Sequence, residues 1–232
     1  MNAPSDDRAA AARLALFDLD HTLLSGDSDA LWCEFLMDEG VLARAQFEAR
    51  NAEMATRYQA GSVTPHEFCE FYVGTLAGRS PAEWQPMCER FVRGVVLPRI
   101  PASAHALVEQ HRARGERLVL TTATNRLLTE ATARHLRIET LIATEVEVLG
   151  GICTGRTAGL LNMREGKVTR LLEWLAVQGQ GAGALHDATF YSDSVNDLPL
   201  LAAVGTPVAV DPDARLLPHA LAQRWQVLTL ER

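Results

Sequence analysis

Three groups of residues in this 232-residue chain have the types and spacing to do chemistry together. The first is Leu14-Ala15-Leu16-Phe17-Asp18-Leu19-Asp20-His21-Thr22, an apolar run that ends in two carboxylates and then a hydroxyl. A short apolar run bounded by polar residues reads as a buried strand. Residues two apart on a strand share a face, so Asp18 and Asp20 leave the strand end together while Leu19 turns into the core. Two converging acids repel unless a cation or a shared proton relieves them. The second group is the hydroxyl run Thr121-Thr122-Ala123-Thr124-Asn125. Thr122 precedes a predicted helix, where its hydroxyl and the following backbone N–H groups could hold a phosphate. Taken alone, that cluster would serve equally as a helix cap. The third is Ser192-Asp193-Ser194-Val195-Asn196-Asp197, two more acids and an amide at a predicted strand-to-helix turn. Lys167 opens another helix, where the dipole slightly disfavours a cation; in isolation it reads as an ordinary surface lysine.

Acids at two strand ends, a hydroxyl at a third and a lysine between them are the parts of a Mg²⁺-dependent phosphoryl-transfer site. In that reading Asp18 is the nucleophile, Asp20 the general acid and base, and Mg²⁺ sits between Asp18 and the downstream acids.

The elements that must position these residues follow from the pattern. Strands and helices alternate after Pro101: a helix over 102–114, a strand over 117–121, a helix over 125–136 and a short strand over 141–143. A hairpin over 145–153 follows, broken at Gly150-Gly151, then a helix over 167–178 and a strand over 188–191. A helix over 196–203, a strand over 207–210, a last helix and the strand 226–228 complete the pattern. Such alternation predicts an α/β fold, a Rossmann-like three-layer core with a parallel sheet. Ligands in such sheets bind beyond the carboxyl ends of the strands, where the three groups lie. Residues 26–98 instead read as helices only. Thr64-Pro65 and Ser80-Pro81-Ala82-Glu83 are helix starts, and Trp32, Phe35, Phe68, Phe71, Tyr72, Trp84 and Phe91 recur at helical spacing as the core of a small bundle. The expected division is a core of residues 1–25 and 99–232 with a helical insert of residues 26–98.

Composition narrows the classes. With 47% hydrophobic residues the chain can bury a sizeable core, and a net charge of −7 argues against nucleic acid and an anionic membrane surface as partners. No apolar run approaches the ~18 residues of a membrane span. The first dozen residues lack the apolar stretch of a signal peptide and read as a loose tail. Cys33, Cys69, Cys88 and Cys153 form no C-x-x-C pair, which suits reduced thiols and a cytoplasmic location. The run Gly179–Gly183 lacks the lysine-plus-hydroxyl pair of a phosphate loop and reads as a surface loop.

Phe17-Asp18-Leu19-Asp20-His21-Thr22-Leu23 resembles the D-x-D-x-T signature of the haloacid dehalogenase (HAD) superfamily of phosphohydrolases. Thr122 matches the superfamily's second-motif hydroxyl, Lys167 its third-motif lysine, and Asp193 to Asp197 its fourth-motif D-x-x-x-D, in that order along nearly the whole chain. The helical insert resembles the C1 cap of subfamily IB, the phosphoserine-phosphatase-like branch. This resemblance implies catalysis by Asp18, Asp20, Thr122 and Lys167 through an aspartyl-phosphate. It implies Mg²⁺ held by Asp18, the Asp20 backbone carbonyl and Asp193. It further implies phosphate contacts from Leu19, Thr122, Ala123, Lys167 and Asn196, supported from behind by Thr22 and Asp197; His21 falls at a variable position of the signature.

The second acid, Asp20, excludes the carbon-attacking dehalogenases, and an insert without lysine excludes Schiff-base phosphonate cleavage. Asp27 falls about where phosphoserine phosphatases place an acid for the substrate amine, and it equally suits a helix N-cap. The second motif Thr-Ala-Thr-Asn and the fourth beginning Ser-Asp-Ser depart from the serine-specific pattern and resemble the histidinol-phosphatase-like group, with Asn125 as a further candidate substrate contact. The expected activity is hydrolysis of a small phosphorylated metabolite, such as histidinol phosphate or another amino-alcohol or amino-acid phosphate, by a monomer or homodimer. Phosphoryl transfer to an acceptor hydroxyl would use the same residues. A non-catalytic phosphate- or Mg²⁺-binding module would not need both Asp20 and Lys167.

Overall fold

The computed structural model of the protein describes residues 12–231. The expected N-terminal tail, apart from its last residue, lies outside the described residues. Seven strands form one sheet in the order β4-β3-β2-β1-β5-β6-β7. The strand β1 (Leu14–Phe17) is central and buried at every residue, as expected for a short run with layers on both faces. It pairs in parallel with β2 (Arg117–Asn125) on one side and β5 (Thr189–Ser192) on the other. Outside them, β3 (Thr140–Leu149), β6 (Thr206–Val210) and β7 (Gln226–Leu228) continue the parallel order. Only β4 (Ile152–Ala158) is antiparallel, as the second arm of the hairpin it forms with β3.

Alternation along β1 sends side chains into two separate cores. Ala15 and Phe17 join an apolar cluster with Val108 of α5 (Ala102–Ala113) and Leu128 and Ala131 of α6 (Arg126–His135). Leu14 and Leu16 face the other way, into Leu171 and Leu175 of α7 (Glu165–Val177) and Leu200 and Leu201 of α8 (Leu198–Ala203). Leu216 and Ala220 of α9 (Leu216–Ala222) complete that layer. This is the expected three-layer α/β architecture.

Between β1 and α5 the chain is helical: α1 (Ser28–Asp38), α2 (Arg44–Gln59), α3 (Pro65–Val73) and α4 (Pro81–Phe91). The capping box predicted at Ser80 is present, and Thr64, predicted only as a helix start, forms one as well; Thr64 and Ser80 each accept from a glutamate N–H three residues on, at 3.2 and 3.3 Å. Trp32, Trp84 and Phe91 pack edge to face and merge with the apolar cluster that holds Phe17. Helices α1 and α4 therefore share the sheet's own core. A second cluster of Cys33, Met54, Phe68, Cys69 and Tyr72 binds α1, α2 and α3 to one another and to Met163 of the loop before α7.

The structure differs from the sequence expectations in several element boundaries, among them the helix expected from 196, which begins at Leu198. The strand β2 runs on to Asn125 rather than ending at Thr121, because the β-branched threonines extend the pairing with β3 through an irregularity between Thr122 and Asn125. The short strand and the hairpin expected after it are one continuous arm, β3, turned at Gly150-Gly151. The helix carrying Lys167 begins two residues early, at Glu165. All four cysteines are free and buried. No described helix is long and apolar enough to cross a membrane.

Candidate active site

The carboxyl ends of β1, β2 and β5 converge where the sheet's connections diverge, and the predicted groups meet there. Asp18 follows β1 directly and is only 6% exposed. Its Oδ1 accepts from Lys167 Nζ at 2.6 Å, and the same ammonium donates to Asp197 Oδ2 at 2.7 Å. Lys167 is brought inward by a close approach of backbone: a Cβ on Gly166 would stand 2.0 Å from the Leu161 carbonyl oxygen. Only glycine lets the preceding loop lie on the start of α7. Asn162 of that loop is fully buried, and its Nδ2 donates to Thr121 Oγ1, the Thr122 carbonyl and the Ile142 carbonyl at 2.9–3.0 Å. The loop is thus pinned to the ends of β2 and β3.

On the other side of Asp18, the Thr22 hydroxyl stands 3.3 Å from Asp18 Oδ2 and 3.1 Å from Asp193 Oδ1, while accepting the Asp193 N–H at 3.0 Å. Thr22 therefore ties the two acids together. Ser192 Oγ donates to Asp197 Oδ2 at 2.7 Å, so Asp197 is aimed at Lys167 by a second donor. Arg164 Nε donates to Asn196 Oδ1 at 3.2 Å, which directs that amide.

Asp20 points elsewhere. Its Oδ1 takes the Ser28 N–H at 2.7 Å, and its Oδ2 accepts from Thr124 Oγ1 at 2.9 Å and Thr122 Oγ1 at 3.4 Å. Asp27 is the N-cap of α1, accepting from the Ala30 N–H at 2.9 Å. Asp20 and Asp27 together satisfy the first donors of that helix.

Burial and charge set the ionisation. Burial pushes the Asp18 carboxyl up to about 7 against the pull of the Lys167 ammonium, with Asp197 and Asp20 adding to the rise. Burial also raises Asp193 well above the usual carboxylate range, helped by the charges of Asp18 and Asp197. Asp27 is pushed up to about 7 by burial and then by Asp20. Burial alone would lower Lys167, but the Asp18 and Asp197 carboxylates outweigh it and raise the ammonium above its ordinary value.

A cavity of about 50 Å³ opens among these groups, lined by Asp18, Asp20, Asp27, Ala123, Lys167, Asp193, Asn196 and Asp197. Leu19, Thr22, Thr122 and Asn125 do not line it. Thr122 sits on β2 rather than at a helix N-terminus, with its hydroxyl turned to Asp20. Asn125 is 2% exposed and accepts from the Leu128 N–H at 3.3 Å as the N-cap of α6. The cavity wall also contains residues with no site role expected from the sequence: Tyr58 and Met163, Phe68 read as bundle core, and Thr124 and Ser194 from within the polar runs. Tyr58 and Phe68 stack at 4.2 Å between ring centres and come from the helical insert. His21, at φ +56°, is exposed and lines both this cavity and an adjoining groove of about 760 Å³.

Among the described residues no three His, Cys, Asp or Glu side chains gather closely enough to form a metal site by themselves. The donors that do converge are the two carboxylates Asp18 and Asp193, joined by Thr22. A few hard oxygen donors beside open space suit Mg²⁺, which keeps several of its waters. Both acids are raised by burial, and a cation between them would return them to the carboxylate form, so this donor set fits the ion.

Residues 15–202 match the haloacid dehalogenase-like hydrolase family. The chain is 36% identical over 219 residues to a histidinol-phosphatase of Neisseria meningitidis, covering 94% of this chain and 99% of that one. It is 32% identical over 234 residues to a phosphoserine phosphatase of Mycobacterium tuberculosis, covering 97% and 72%. A crystal structure of a protein of unknown function from Bordetella pertussis superposes with a TM-score of 0.88 at 43% identity, covering 94% and 98%. With Asp18 and Asp193 after β1 and β5, Lys167 in the first turn of α7 and phosphatases among its relatives, the chain belongs to the haloacid dehalogenase-like hydrolases and is one of their phosphatases.

Proposed function

We propose that this phosphatase is Mg²⁺-dependent and hydrolyses a small phosphomonoester whose alcohol carries an amine, with histidinol phosphate the leading compound. The observation that carries the reading is the convergence of Asp18, Lys167 and Asp193 around one buried point, with Thr22 joining the two acids. Asp18 attacks phosphorus in line and becomes the aspartyl-phosphate. Asp18, Asp193 and the Asp20 carbonyl would hold Mg²⁺, which would supply neutralisation of phosphoryl charge. Lys167 offsets charge on the phosphoryl oxygens and keeps Asp18 aimed. The Ala123 and Leu19 N–H groups and the Asn196 amide take the remaining phosphoryl oxygens, and Thr122 supports from behind. Asp20 gives a proton to the departing alkoxide and later takes one from water.

The substrate class is supported by the wall opposite the phosphate. The 50 Å³ cavity has room for only a few waters, so the alcohol must extend into the groove that shares His21, Asp27, Tyr58 and Asn196 with it. Asp27 and Tyr58 both line that junction, an acid and an aromatic ring in one wall, which suits an amine or imidazole. The relative named histidinol-phosphatase agrees with such a substrate. In this proposal residues 26–98 act as the cap that closes over the core of residues 1–25 and 99–232. A screen of phosphorylated metabolites for Mg²⁺-dependent phosphate release tests the reading. Turnover concentrated on amine-bearing phosphates supports it, and equal turnover of uncharged sugar phosphates contradicts it.

A further inference from the structure

Asp29, the second residue of α1, is 3% exposed, faces no cation, and has no place in the chemistry described above. Its Oδ2 lies 3.0 Å from Thr124 Oγ1, and its Oδ1 has no hydrogen-bond partner. Thr124 Oγ1 in turn lies 2.9 Å from Asp20 Oδ2 and receives Ser28 Oγ at 3.1 Å. A threonine hydroxyl has one proton to give. It stands between two carboxyl oxygens, so it can donate to only one, and the other carboxyl must donate to it. Asp20 has other donors, the Ser28 N–H on Oδ1 at 2.7 Å and the Thr122 hydroxyl on Oδ2 at 3.4 Å, whereas the Asp29 carboxyl meets Thr124 alone. The donating carboxyl is therefore Asp29.

Three further observations agree. An orphaned Oδ1 is a far smaller burden on a neutral acid than on a buried carboxylate. The first N–H groups of α1 are already taken by Asp20 and Asp27, so the helix end has no spare donor for a third negative charge. The ionisable groups facing Asp29 are Asp20, Asp27, Cys33 of its own helix, and Cys69 and Tyr72 of α3, none of them a cation.

We propose that Asp29 is a positioning residue for Asp20: as a neutral acid it donates to Thr124, which fixes the Thr124 hydroxyl as a donor to Asp20 and so holds the general acid and base in place. This rests on the role given to Asp20 above. The chain of bonds joins α1 of the helical insert to the end of β2 and to the signature loop, so it also ties the insert's first turn to the proton-handling group.

The test compares Asp29→Asn, Asp29→Ala, Thr124→Val and the Asp29→Ala/Thr124→Val double variant, with histidinol phosphate and with p-nitrophenyl phosphate. Asp29→Ala and Thr124→Val should each lower kcat about tenfold at little-changed KM, and the double variant should fall no further than either, because both act through one chain of bonds. Asp29→Asn keeps a neutral donor and should stay within about threefold of the wild-type kcat, with the acidic limb of its kcat/KM profile unmoved. If Asp29 were instead a carboxylate, removing its charge beside Asp20 would move that limb by roughly one pH unit or more. A moved limb in Asp29→Asn, or a folded Asp29→Ala with wild-type kcat, overturns the proposal while wild-type turnover keeps the phosphatase reading intact. A wild-type protein that turns over neither ester overturns both.

Discussion

Lys167 Nζ lies 2.6 Å from Asp18 Oδ1, with both groups buried. The contact positions the proposed nucleophile, and it also keeps an acid cluster folded. Replacing Lys167 by Met leaves Asp18 and Asp197 buried without their cation. We expect a loss of about 3–5 kcal/mol in urea unfolding at pH 7.5, together with loss of turnover. Lys167→Arg should not restore turnover, since a planar fork cannot occupy the place of a compact ammonium held by two acids.

Thr22 carries a different prediction, because its hydroxyl joins Asp18 to Asp193. Thr22→Val preserves shape and removes the hydroxyl that stands between the two acids and accepts the Asp193 N–H. The Mg²⁺ concentration for half-maximal activity should rise about 10–100-fold, while kcat at saturating Mg²⁺ falls much less. A titration of activity against Mg²⁺ decides it.

Asp27 should trade stability for recognition. Its carboxyl is raised from 3.8 to about 7 in the folded protein. The folded state therefore keeps a proton that the unfolded chain has lost, so this group's contribution to stability falls as pH rises through that window and is flat above it. Asp27→Asn retains a capping side chain and should raise Tm by about 2–4 °C at pH 8, with little change at pH 4. The same variant should raise KM for an amine-bearing phosphate and leave KM for p-nitrophenyl phosphate unchanged.

Tyr58 lines both the 50 Å³ cavity and the 760 Å³ groove, at the boundary between them. Tyr58→Ala would merge the two spaces. Kcat/KM for bulky aryl phosphates should rise relative to small alkyl phosphates by about tenfold, roughly 1.4 kcal/mol of discrimination. An unchanged ratio would mean the ring does not gate the groove.

Much of this site is legible in the sequence, because its acids and lysine fall at strand and helix ends whose patterns are short and strong. Leu14 to Phe17 could only be a buried strand, and Asp18 follows from it. The capping box at Ser80 and the helix start at Thr64-Pro65 are local and read directly. Thr122 shows the limit: a run of hydroxyls ending in asparagine looks like a cap wherever the strand is taken to stop. The cap is Asn125, and the threonines before it are strand. Thr124, Asp29, Asn162 and Tyr58 carry no pattern of their own. Thr124 meets Asp20 across 104 positions and Asp29 across 95, and such partners become visible only when the insert folds back on the sheet.

Phosphate release from p-nitrophenyl phosphate, followed with Mg²⁺ and with excess chelator for the wild type and for Asp18→Asn, tests the central claim most directly. The predicted result is turnover by the wild type with Mg²⁺ alone, none after chelation, and none by a folded Asp18→Asn. Metal-independent turnover, or turnover by Asp18→Asn at the wild-type rate, would contradict the assignment of Asp18 as a metal-assisted nucleophile.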